Sequence, residues 1–165
     1  MKIHAAATLL SLALLASCAA PTAGSRVSDA EPGTVAYDRD VFQTLLGNHE
    51  LIRRETKEIP NGIETVTESD DAEVAALIQD HVAAMKVRIE NGHRLRQWDP
   101  MFVAVFDHAD RIRMEYEKTA KGMKVREVSD DAYVAKLIQA HARMVSGFVA
   151  RGTEESKLAH EPPAR

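Results

Sequence analysis

The chain has 165 residues, 45% hydrophobic and 28% charged, an ordinary balance for a folding protein with room for one compact domain once the ends are set aside. Its formal net charge is -4, with no basic cluster of the kind that binds nucleic acid, so that class of partner is excluded and a solvated, mildly acidic exterior is expected.

The N-terminus reads as a targeting segment. Lys2 gives a positive start, Leu9 to Leu15 an apolar run, and small residues follow. A spanning helix needs roughly 20 apolar residues, and this run is too short. It closes with Leu15-Ala16-Ser17-Cys18, which resembles the lipobox of bacterial lipoproteins. The resemblance covers the first eighteen residues, and Cys18 is the only cysteine. It implies that residues 1–17 are a signal peptide, that Cys18 becomes the acylated mature N-terminus, and that the protein is anchored to lipid. Ala19, rather than Asp, implies the periplasmic face of the outer membrane. The alternative is an ordinary secretory signal with an incidental cysteine. Acylation consumes the only thiol, so packing must stabilise the fold without disulfides. Residues 18–37, including Pro21 and Pro32-Gly33, lack apolar periodicity and read as a flexible tether.

A single domain is expected over 38–153, and it is duplicated. Residues 42–92 align without gaps on 102–152 with 16 identities. Ten of these fall in one motif, Ser69 to His81 against Ser129 to His141; the others are Phe42/Phe102, Ile52/Ile112, Arg53/Arg113, Glu55/Glu115, Gly62/Gly122 and Gly92/Gly152. Each repeat opens with a short apolar helix, carrying Val41, Phe42, Leu45 and Leu46 or Met101, Phe102, Val105 and Phe106. Asp99-Pro100 supplies an N-cap and a first-turn proline to the second.

A hairpin comes next, turning at Pro60-Asn61-Gly62 or Ala120-Lys121-Gly122, with the glycine expected to provide the positive φ of a tight turn. Ser69 and Ser129 then read as N-caps, with Asp70-Asp71 and Asp130-Asp131 in the favourable first turn of a long helix. Val74, Leu77, Ile78, His81, Met85 and Ile89 line one helix; Val134, Leu137, Ile138, His141, Val145 and Phe148 line the other. Gly92 and Gly152 end them. The expected fold is α+β: two tandem α-β-β-α repeats forming a four-stranded antiparallel sheet, with both long helices on one face and a pseudo-twofold between halves. Residues 154–165 read as a disordered polar tail.

His81 and His141 share a position on the two apolar stripes, so the pseudo-twofold could bring their imidazoles together. His49 and His108 both precede the first strand of a repeat, one residue out of step. These four histidines are the candidate ligands for a transition metal or haem, with Met85 and Met144 a turn beyond. The alternative is packing: an imidazole on an apolar stripe bonded to a carbonyl, and methionines filling gaps. Arg53 and Arg113, each two residues before a glutamate, offer an anion-binding or docking surface, or an exposed lattice of ion pairs. The linker His93-Arg94-Leu95-Arg96-Gln97-Trp98 offers a recognition patch, with Trp98 expected to cap the core.

No nucleophile–base–orienter set, phosphate loop or paired glycosidase carboxylates is present. The favoured function is therefore a non-enzymatic, lipid-anchored binding module of the bacterial envelope that engages another envelope protein or a small ligand. The alternative is a metal- or haem-binding lipoprotein.

Overall fold

The computed structural model describes residues 27–165; the lipobox, Cys18 and the first part of the expected tether lie outside them. The first repeat contributes α1 (Val35–Gly47), β1 (Ile52–Ile59), β2 (Gly62–Ser69) and α2 (Ala72–Asn91). The second contributes α3 (Pro100–Asp107), β3 (Arg113–Thr119), β4 (Gly122–Val128) and α4 (Ala132–Arg151), and a single turn, α5 (Thr153–Ser156), follows. Short 3-10 turns, His49–Leu51 and Ala109–Arg111, lead into β1 and β3. The strands form one antiparallel sheet in the order β1-β2-β4-β3, so the α+β fold and its repeated α-β-β-α order are as expected.

Alternation along the strands decides which face the helices cover. Ile63 and Thr65 on β2, and Met123 and Val125 on β4, are buried, whereas Lys124 and Arg126 between and beyond them are exposed. The helices cross over between repeats. Val74 and Ile78 of α2 pack with Met123 and Val125 of the second repeat, while Val134 and Ile138 of α4 pack with Ile63 of the first. Polar contacts follow the same exchange. Gln79 donates to the Thr119 carbonyl, and Gln139 to those of Ile59 and Gly62. The Ser69 N–H donates to Lys121 O and the Ser129 N–H to Asn61 O. Neither repeat can bury its own helix face alone.

Several local expectations are corrected by this packing. The repeated glycines serve the central strand pair, and Gly62 alone also has the positive φ expected of it, 157°. A Cβ on Gly62 would lie 1.9 Å from the Glu127 carbonyl oxygen, and one on Gly122 would lie 2.1 Å from that of Thr67. Gly122 has no positive φ. The N-caps of α2 and α4 are Asp71 and Asp131, two residues beyond the serines, and each accepts two backbone N–H bonds. Ser69 and Ser129 are buried and accept the Asp71 and Asp131 N–H groups. Helix α1 begins at Val35, capped by Thr34, and Val27 packs against the core, so the end of the expected tether belongs to the domain.

One buried ion pair breaks the pseudo-symmetry. Asp38 of α1 and Arg88 of α2 are 4% and 5% exposed and bonded to each other. Sixty residues on, the matching positions are Trp98 and Phe148. Replacing Arg88 with Ala strands a buried carboxylate, a change that costs about 3–5 kcal/mol. The urea midpoint of Arg88→Ala should fall accordingly, and the Asp38→Leu/Arg88→Met double variant should recover most of the loss; a double variant no better than the single would refute this account.

Candidate functional site

The segment joining the repeats, read from sequence as a recognition patch, is tied to the C-terminal tail. Asp99 caps α3 and is fully buried. Its Oδ1 accepts from the backbone N–H groups of Met101 and His160, both at 3.1 Å. Its Oδ2 lies 2.9 Å from His160 Nδ1 and accepts from Arg96 at 3.2 Å. The other ring nitrogen of His160 lies 3.2 Å from Oε1 of buried Glu155, which is also held by Arg151. Both ring nitrogens of His160 thus face carboxylates.

Burial raises the Asp99 carboxyl, but bonds from His160, Arg96 and Met101 outweigh it and leave it below its ordinary range. Glu155 is likewise held low, chiefly by Arg151 and with His160 adding to it. The tail expected to be disordered is thus fastened at His160, whose carbonyl also accepts the Met101 N–H at 2.9 Å. A lone histidine in a polar tail gives no periodic signal, so His160 and Glu155 could not be singled out from sequence.

Arg96 is the pivot of this corner. Its side chain is 16% exposed, and it donates to Asp99 and, at 3.2 Å, to the Ser156 carbonyl. The guanidinium stands 4.4 Å from the centre of the Trp98 ring, 5.1 Å from Phe102 and 5.4 Å from Phe148. Such cation–π contacts reach about 2 kcal/mol when desolvated. They hold Arg96 in a left-handed backbone conformation at φ 48°, which costs an L-residue on the order of 1 kcal/mol. Trp98 does not cap the core as expected. It is 56% exposed, its ring backed by a guanidinium whose charge Asp99 already meets. Leu158, 51% exposed, stands two residues beyond the Ser156 carbonyl that Arg96 holds.

The four candidate histidines do not converge. His49 Nδ1 lies 2.9 Å from the Val149 carbonyl near the end of α4, whereas the His108 ring packs edge-on against Tyr133 at its start, with 5.4 Å between centres. Sixteen residues of helix separate Val149 from Tyr133, a rise of about 24 Å, so one ion cannot be shared by His49 and His108. This corrects the four-ligand arrangement. His108 Nδ1 instead lies 2.9 Å from the Ala104 carbonyl in its own helix.

His81 stacks on Phe42 at 5.8 Å, and His141 meets Phe102 edge-on at 5.6 Å. Each imidazole therefore faces the repeated phenylalanine of its own unit. Burial pulls both down to about 4; for His141 the charge of Arg54 adds to this, while for His81 Asp38 and Asp80 oppose it. No group of three or more His, Cys, Asp or Glu placed to hold a metal occurs among the described residues. Met144 is buried core.

Arg53 and Arg113 lie on the two outer strands, β1 and β3, and each closes an ion pair with its repeat's first aspartate: Asp70 at 2.6 Å and Asp130 at 2.8 Å. Asp70, held by Arg53 and then by Lys121, is pulled down to about 2. Both guanidinium groups are thus engaged by carboxylates, and the repeated Ser-Asp-Asp triplet divides its work. The serine steadies the turn, the first aspartate holds the strand arginine, and the second caps the helix.

No protein-family model matches the chain, and neither a curated protein nor a solved structure matches it.

Proposed function

We propose that this protein is a non-enzymatic, lipid-anchored binding module of the bacterial envelope. Acylated at Cys18 on the periplasmic face of the outer membrane, it docks another envelope protein through the Trp98 corner. The observation that carries this reading is a large aromatic side chain left 56% exposed on a pre-ordered base. Interface hot spots are enriched in Trp and Arg, and a side chain already immobilised loses little entropy on binding. Arg96, Asp99, Ser156 and His160 supply that order, and exposed Leu158 offers further apolar surface. The metal or haem alternative loses support, since His49 and His108 lie against different carbonyls, His81 and His141 each face a phenylalanine, and no group of three or more ligating side chains forms among the described residues.

The test is a photo-crosslinking residue at position 98 in cells, compared with one at Val87, which is 53% exposed on α2. Position 98 should yield one discrete protein adduct and position 87 none, and Cys18→Ser should abolish the adduct by detaching the protein from the membrane. Equal labelling at both positions, or no adduct at 98, would overturn the docking role.

A further inference from the structure

A groove of about 450 Å³ opens at the C-terminal end of α2, lined by Ile89, Glu90 and Gly92 of that end and by Phe106, Ala109, Asp110 and Ile112. The duplication provides a direct comparison. Sixty residues away in register, these positions are Ala150, Gly152, Leu46, His49, Glu50, Ile52 and Val149. In that half the space is taken by a side chain of the protein itself. The His49 ring lies so close to Gly152 that a Cβ there would come within 2.3 Å of its Cδ2, while its Nδ1 lies 2.9 Å from the Val149 carbonyl.

In the grooved half, Ala109 stands where His49 would, and a Cβ on Gly92 would meet nothing within 4 Å. His108, one residue earlier in register, does not fill the space. It is turned to the Ala104 carbonyl and Tyr133. The carbonyl equivalent to Val149 O belongs to Ile89, which takes only a long 3.4 Å bond from the Gly92 N–H. Both halves were cut from one pattern, so the plugged half displays the shape and polarity the open half offers.

We infer that this groove binds a small ligand carrying an imidazole-like ring, seated as His49 is seated and donating an N–H to the Ile89 carbonyl. The ring alone would not fill the volume, and what surrounds it favours a cationic substituent. Glu90 replaces Ala150 in the lining, and Asp110 makes no ion pair among the described residues. Glu90 is bonded to Lys86, and the neighbouring cations Arg111 and Arg94 are paired with Asp131 and Asp107. Asp110 is therefore the carboxylate left to meet a ligand's charge. This site is separate from the Trp98 corner and does not depend on the docking role.

The test is NMR titration of the purified mature protein with imidazole, histamine and, as a cation without a ring, ethylamine. Imidazole should shift the Gly92, Ala109 and Ile112 amides saturably with a millimolar Kd, as suits so small a fragment. Histamine should bind several-fold tighter, and Asp110→Asn should erase that advantage. Ala109→His should plug the groove and abolish binding of both ring ligands. His49→Ala should open a second site that imidazole fills, raising the variant's thermal midpoint as imidazole is added. No saturable shift with either ring ligand, equal binding of ethylamine, or full binding by a folded Ala109→His variant would overturn the assignment. If Ala109→His does not fold, a histamine preference unchanged in Asp110→Asn would do so.

Discussion

Gly62→Ala and Gly122→Ala should each cost more than about 4 kcal/mol, enough to leave much of the chain unfolded at room temperature. The added methyl group meets backbone rather than a mobile side chain: the Glu127 carbonyl in one case and the Thr67 carbonyl in the other, both near 2 Å. These positions lie in the β2–β4 pairing, Gly62 opposite Val128 and Gly122 opposite Glu68. Backbone there can yield only by parting the two repeats. The crossed helices would then lose their partners, because Met123 and Val125 seat α2 and Ile63 seats α4. Gly92→Ala is the control. It has open space and only the left-handed φ of 67° to accommodate, a loss on the order of 1 kcal/mol. Urea midpoints of the three variants decide the matter, and a mild Gly62→Ala would show that the central pair is not the joint of the fold.

Acidification should cost nearly as much, through His81 and His141. Both are held near 4 in the folded protein by burial, against an ordinary value of 6.5. The unfolded chain takes up these protons first as pH falls, so the stabilisation is complete above pH 6.5 and is lost as pH drops from there towards 4. Each pH unit separating the folded from the unfolded titration is worth roughly 1.4 kcal/mol, so either ring contributes about 3–4 kcal/mol. Asp99 and Glu155, held below their ordinary range, lie on the same side of the balance: they stabilise above that range, and their contribution fades as pH falls through the folded values, adding a second decline at stronger acid. Urea midpoints measured from pH 7 to pH 4.5 should fall steadily in the parent and much less in His81→Leu/His141→Leu. A flat parent profile would mean that the two rings titrate in the folded protein as they do in the unfolded chain.

The separate fates of equivalent residues explain what could be read early. The repeat was legible because identity at a constant offset needs no geometry, and its order of helix, hairpin and helix follows from apolar period and turn residues. The roles of individual residues within it were harder. Gly62 looked like a turn residue because it follows Pro60-Asn61, yet the constraint on it comes from Glu127, far along the chain. Ser69 looked like a cap, but a later helix start handed that role to Asp71. Trp98 reads as a core cap from its place between the repeats, and only the structure shows it as an exposed ring fixed over Arg96 and Asp99.

The amino-acid order by itself determined that two copies of one α-β-β-α unit share an antiparallel sheet, because alternation and helical period are local and survive duplication. Folding in three dimensions alone decided that each long helix covers the other copy's strands, that four similar histidines take up separate posts, and that a polar tail is fastened through His160. Those outcomes rest on contacts between residues distant in the chain, for which spacing along a sequence carries no information.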